Sequence, residues 1–496
     1  MADDTHGERD RPEVVVSTGA LRGIRDGDID SFLGIPFAKP PFGERRFSTP
    51  EPPEPWEGAR DASAFGPTAP QAPYGGGLEK YLPSVEIPGD DILTLNVWAP
   101  ADRSGPLPVA VWVHGGALTR GTPALPTYDG ERFARDGIVF VSVAYRLGQE
   151  GFAVADGVPP NLGLLDVQAA LRWVRREIAA FGGDPGRVTA MGQSAGANLL
   201  AALLALPHAA ELFDRVALQS GPLEAQPPKK AGRMTREVAK RRGIPLTRDG
   251  LAGQTPALLV DAQTQASAGG TPLGGGPTVA LVVGGEVVPR PLDEAYAAGG
   301  GDSIPVLIGA TSEEYRLWFL PSGALDRITT RTLTLARLAA RVPAAVVRAH
   351  RRRHPDARPG EILGEIVGDM LLREPAYRLA DTRLRRRAAP TWMYEFRWQS
   401  PLDGLGAAHV VDLSFVFDRL GTPDALALTG ADAPPALAEA MHGAWVRFIL
   451  EGDPGWEAWD ARRPAQVFDD AGGHIEYALR LDEIEALPAR RRRPWR

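Results

Sequence analysis

Between Pro106 and Asn198, short and wholly apolar runs alternate with longer stretches whose apolar residues recur at helical spacing. LPVAVWVH and GIVFVSVAYRL read as strands, GLLDVQAALRWVRREIAAFGG as an amphipathic helix, and RVTAMG as a strand again. FDRVALQSG and IPVLIGA repeat the strand pattern further on. Strands that are apolar throughout, separated by helices, predict an α/β architecture. Its large, mostly parallel central sheet is covered by helices on both faces. Residues 325–390 are rich in Arg, Leu and Ala and read as a helical insertion over the carboxyl edge of the sheet. Gly75–Pro88 and Gly269–Gly276 are Gly/Pro-rich and predict loops. No linker is long enough to divide the chain, so residues 1–496 are expected to form one domain, with flexible ends at 1–12 and 488–496.

One strand-to-helix junction leaves no room for a loop. In RVTAMGQSAGANLLAALLAL, Arg187 to Leu206, a strand ends near Met191 and an Ala/Leu-rich helix follows. Between them stands Ser194, with Gly192 and Gly196 two residues to either side. A turn that tight strains its central residue and tolerates only small neighbours, the pattern of a nucleophile elbow. A serine hydroxyl needs a base to take its proton, a carboxylate to orient that base, and donors for the oxyanion. His114-Gly115-Gly116-Ala117 follows an apolar strand, where an oxyanion loop belongs. Of the eight histidines, His409 lies in a small-residue loop downstream of the serine, in GLGAAHVVDLSFVF. Glu313 and Glu314 follow the strand IPVLIGA. The order Ser, Glu, His is that of the α/β-hydrolase fold.

The chain resembles the type-B carboxylesterases, the family that includes bacterial para-nitrobenzyl esterases and the cholinesterases, from about Gly19 to Asp470. The blocks that carry the likeness are FLGIPFAKPPFGERRFSTPEPPEPW, DDILTLNVWAP, AYRLGQEGF, NLGLLDVQAALRWVRREIAAFGGDPGRVT and EGDPGWEAW. The resemblance implies a cofactor-free serine esterase working through an acyl-enzyme on a small-molecule ester. It assigns Ser194 as nucleophile, Glu314 as acid and His409 as base, with oxyanion donors from the backbone of Gly116, Ala117 and Ala195. It also implies that Ser220, in LQSG, supports the triad; a plain strand-end cap is the other reading of that serine. HGGAL fits the family pattern associated with acceptance of tertiary-alcohol esters.

Several positions depart from the family pattern. Gln193 replaces the usual Glu before the serine, Ala117 the third oxyanion glycine, and Tyr315 the glycine after the acid. Ala144 stands where Asn is usual, and Ala69 and Ile92 hold the positions of the family's N-terminal disulfide. The same machinery turned to acyl transfer, lactone opening or cyclisation is the alternative reading. A catalytically silent binding module is the remote one, because the serine, acid and histidine are all present.

Composition narrows the setting. A net charge of −7 argues against a nucleic-acid partner. No apolar run reaches the ~18 residues of a membrane span, and no histidine–carboxylate cluster suggests a metal site. MADDTHGERDRPEVVV lacks the apolar core of a secretory leader, and there are no cysteines. Fifty of the 55 cationic residues are Arg, which with the high Ala, Gly and Pro content points to a GC-rich bacterial genome, so a bacterial, cytoplasmic enzyme, a monomer or small homo-oligomer, is expected. The basic run Arg490–Arg493 reads as a solvated tail.

Overall fold

The computed structural model describes residues 11–268 and 276–488. The expected flexible ends, except Arg11, Pro12 and Pro488, and nearly all of the Gly269–Gly276 loop lie outside them. The strands, in chain order, are β1 (Glu13–Val16), β2 (Gly19–Arg22), β3 (Ile24–Asp26), β4 (Ile29–Pro36) and β5 (Ala59–Asp61). There follow β6 (Thr94–Pro100), β7 (Leu107–Val113), β8 (Val139–Val143), β9 (Gly183–Gln193) and β10 (Arg215–Gln219). The last are β11 (Val306–Thr311), β12 (Thr391–Phe396), β13 (Pro464–Asp469) and β14 (Gly472–Tyr477). Strands β1, β2 and β5 form a small sheet, and the other eleven form one large sheet in the order β14-β13-β12-β11-β10-β9-β7-β8-β6-β4-β3. From β8 across to β13 every neighbouring pair is parallel, and antiparallel strands continue the sheet at both ends.

Strand β7 shows why the central runs are apolar throughout. Val109, Val111 and Val113 enter the core on one face, with Val139 and Val141, while Ala110 and Trp112 enter the core on the other, with Phe140. Period-two alternation therefore feeds two cores, and no position of the strand is left for a polar residue. The predicted elements are present with shifted ends. The long helix covers Leu162–Glu177 and gives way to a 3-10 turn over Ile178–Phe181, and β9 runs on to Gln193.

The stretch between β11 and β12 holds the helices Ala324–Arg327, Thr330–Ala339, Ala344–Arg353, Pro359–Gly368 and Glu374–Arg386. A π-helical turn, Asp369–Arg373, joins the last two. Leu333, Val346, Ile362 and Ile366 from these helices close over Tyr315 and Phe319 in a third core. The helices are thereby fastened to the segment that leaves the carboxyl end of β11. No helix among the described residues is long and apolar enough to cross a membrane.

Candidate active site

The parallel strands deliver five chain segments to the same edge of the sheet, following β7, β9, β10, β11 and β12. Ser194 follows β9 directly and precedes the helix Ala195–Leu204, with φ 54° and ψ −116°, outside the ordinary wells of an L-residue. Neighbouring chain holds it there. Its N–H donates to Gln219 O at 2.8 Å, and its carbonyl accepts from Asn198 N at 3.0 Å. A Cβ on Gly196 would lie 2.0 Å from Val113 O, and one on Gly192 would lie 2.8 Å from the carbonyl carbon of Gly196. Both flanking glycines are therefore required by contact between strand and helix.

Glu314 and His409 meet across 95 residues of sequence. Nδ1 of His409 bonds Oε2 of Glu314, and the other carboxylate oxygen accepts from Ser220 Oγ at 2.6 Å and Thr311 N at 2.8 Å. Burial would raise this carboxyl, but the facing imidazole and the bonds from His409, Ser220 and Thr311 outweigh it and hold Glu314 below its usual range. Ser220 is thus more than a strand-end cap. Trp318 packs on the His409 ring with centroids 5.1 Å apart. The adjacent Glu313 turns away, half-buried, to pair with Arg316 at 2.7 Å and accept from Ala407 N at 3.1 Å.

Two other buried histidines also touch carboxylates: His350 pairs with Asp369 and His442 with Asp136, both at 2.8 Å. The second nitrogen of each is bound to a backbone carbonyl, Val346 O and Val416 O, so these are core histidines satisfied on both sides. His409 alone of the three lines a cavity with Ser194. Its Nε2 lies 2.9 Å from the amide nitrogen of Gln193, and no hydrogen bond joins it to Ser194 among the described residues. Sequence reading put Gln193 beside the nucleophile. The structure puts its side chain against the imidazole.

The loop after β7 carries three successive residues at positive φ: Gly116 at 109°, Ala117 at 55° and Leu118 at 60°. Ala117 therefore adopts the left-handed region at a cost that a glycine would avoid. The turn is closed by Gly116 O, which accepts Thr119 N at 3.0 Å and Arg120 N at 2.9 Å. The N–H groups of Gly116, Ala117 and Ala195 donate to no acceptor among the described residues. His114, at the base of the loop, stacks on Tyr145 at 4.4 Å, and burial lowers it to about 4, so it is a neutral support for the loop. The cavity in front of Ser194 measures about 510 Å³ and is walled by Ala117–Arg120, Asn198, Trp318, Leu371 and Leu372 among others. No three His, Asp or Glu side chains among the described residues converge closely enough to hold a metal ion.

The positions that depart from the expected pattern are accommodated locally. Tyr315 has φ −64° and ψ −22°, ordinary helical backbone with no need of glycine, and its ring fills space opened by Gly364, where a Cβ would lie 2.1 Å from Cδ2 of the ring. Ala69 and Ile92 are both buried in the main core. Nothing in the structure explains Ala144.

Residues 10–468 match the model of the carboxylesterase family. The chain belongs to that family. It is 34% identical to the para-nitrobenzyl esterase of Bacillus subtilis over 460 residues, covering 90% of this chain and 92% of that one. It is 35% identical to the phenmedipham hydrolase of Pseudarthrobacter oxydans, covering 94% and 96%. Among solved structures, a carboxylesterase of Geobacillus stearothermophilus superposes with a TM-score of 0.85 at 35% identity, covering 96% of this chain and all of that one. Membership makes this chain a carboxylic ester hydrolase and identifies its sheet as that of an α/β-hydrolase.

Proposed function

We propose that the chain hydrolyses esters through an acyl-enzyme in which Ser194 is the nucleophile, His409 the base and Glu314 the orienting acid. The observation that carries this is the buried Glu314–His409 pair opening on the same cavity as a serine held at φ 54°. Glu314 accepts from Nδ1 and so leaves the lone pair of Nε2 facing the cavity. The Gln193 amide now at Nε2 gives way to the Ser194 hydroxyl as substrate enters. Ser194 Oγ adds to the ester carbonyl while its proton passes to Nε2. The negative oxygen is received by the undonated N–H groups of Gly116, Ala117 and Ala195. The tetrahedral adduct expels the alcohol, which takes the proton from the imidazolium. Water then repeats the sequence on the acyl-enzyme and releases the acid. Ser220 and Thr311 hold Glu314 in place throughout.

The test is turnover of p-nitrophenyl acetate before and after treatment with an organophosphonate, with peptide mass mapping of the adduct. One phosphonyl group on Ser194, with loss of activity in step, is expected, and Ser194→Ala is expected to be inert to both reagents. A Ser194→Ala enzyme that keeps wild-type turnover overturns the assignment.

A further inference from the structure

We propose that the cavity in front of Ser194 is built for esters that carry a negatively charged group, a carboxylate foremost, in addition to the ester being cleaved. This deepens the proposed function and rests on it.

The chain as a whole is acidic, with 62 carboxylate residues against 55 Lys and Arg. A segment beside the cavity runs against that balance. Residues 228–242, which form the helices Pro228–Ala231 and Arg233–Arg242, hold seven Lys and Arg against the single carboxylate Glu237. Two of those cations, Lys230 and Arg233, line the cavity that Ser194 and His409 share. Arg120 lines it as well, from the loop that carries Gly116 and Ala117.

Elsewhere on the surface some Arg side chains are paired with carboxylates, for example Arg358 with Asp326 and Glu361, and Arg386 with Asp302. Neither Lys230 nor Arg233 has a side-chain hydrogen bond or an ion pair among the described residues. Arg120 donates from Nε to Ala72 O at 3.0 Å and lies 5.5 Å from the centre of the Tyr74 ring, with no carboxylate partner. Among the described residues the wall carries one carboxylate, Glu224. Its backbone is latched to Asn198 in both directions, and its side chain accepts from Gln226 at 3.2 Å. Three cations and one anion leave the wall positive inside a negative molecule.

Such a wall selects by charge. A cleft of one sign concentrates ligands of the other, more strongly between low-dielectric walls than on open surface. The lining also offers apolar surface, with Trp318, Leu371 and Leu372 among its residues. An ester with a hydrocarbon spacer and a terminal carboxylate meets both: the spacer lies on the leucines and tryptophan, and the carboxylate reaches Lys230 or Arg233.

Two substrate pairs distinguish whether the charge rides on the acyl or the alcohol side. One is mono-p-nitrophenyl adipate against p-nitrophenyl heptanoate, and the other is 4-acetoxybenzoate against its methyl ester. In at least one pair the wild-type kcat/KM is expected to favour the anionic member by about fivefold, the size of an exposed charge contact, and the preference is expected to shrink as ionic strength rises. Lys230→Glu with Arg233→Glu is expected to invert that ratio. Lys229→Glu, the same change on a neighbouring lysine outside the cavity wall, is expected to leave it standing. The proposal is overturned if neither pair shows an excess, if the excess survives the double reversal, or if Lys229→Glu abolishes it equally. Failure of the underlying reading looks different: the neutral esters themselves are then not turned over, or are turned over without Ser194.

Discussion

Two adjacent carboxylates show how much hangs on the direction of one side chain. Glu314 points inward to His409 and Ser220, while Glu313 points outward to Arg316 and the Ala407 amide. The proposed roles therefore separate cleanly. Glu314→Gln is expected to lower kcat by roughly 10³–10⁴, because an amide no longer fixes the tautomer in which Nε2 accepts, as for the corresponding Asp→Asn change in trypsin. Glu313→Gln removes a charge from a loop contact and is expected to cost far less. Steady-state kinetics on both variants decides it, and an inactive Glu313→Gln enzyme would transfer the role to Glu313. At this scale the sequence was informative about residue type and silent about contact. The glycines around Ser194 announced the turn, because only a steric demand explains them at that spacing. Nothing local to residue 193 signalled its approach to residue 409, since that contact exists only once distant strands are side by side.

Among the elements, the π-helical turn Asp369–Arg373 joins two surfaces of the site. Leu371 and Leu372 face the substrate cavity, and the Arg373 guanidinium, nearly fully buried, donates to Thr311 O at 3.2 Å and Ser312 O at 3.1 Å. Those carbonyls belong to the turn that presents Glu314. Arg373 also pairs with Asp369 and, at 3.4 Å, with Glu395 on β12. Arg373→Ala takes one cation from each carboxylate, leaving His350 on Asp369 and Arg397 and Arg480 on Glu395, and is expected to destabilise the fold by about 3 kcal/mol, the low end for breaking a buried pair. It is also expected to lower kcat more than it raises KM, because the turn of Glu314 loosens while the cavity wall remains. Denaturant midpoints and steady-state kinetics measure the two effects, and a wild-type midpoint would refute the role. The strands around this turn were legible because burial on both faces writes an uninterrupted apolar run. The helices of residues 325–390 were legible as helices. Their attachment was not, because Arg373 and Thr311 are 62 positions apart and arginine is common throughout the chain.

For the molecule as a whole, two buried carboxyls pull its pH dependence in opposite directions. Burial would raise Glu395, but Arg480, Arg373 and Arg397 surround it and hold it at about 2. Its contribution to stability is present above its unfolded value of 4.5 and is lost only as pH falls through about 2. Asp412 is pushed up to about 7, first by burial and then by the Glu314 charge, against weaker opposition from His409 and a 3.2 Å bond from Tyr394. A raised acid works the other way: its contribution is complete below 3.8 and is lost as pH rises through about 7. Asp412→Asn is therefore expected to flatten the decline in stability between those limits and to raise Tm at alkaline pH, by at most about 4 kcal/mol in free energy. Melting curves across that range test it, and an unchanged slope would count against the shift. The three turns that carry Ser194, Glu314 and His409 follow β9, β11 and β12, and long intervals of chain lie between them. No contiguous fragment short of that span holds the whole set, so the site comes into being only when remote strands dock in register. Ester turnover then reports on completed assembly: during refolding it should lag the return of secondary structure, since non-local pairing is the slow part of such a topology.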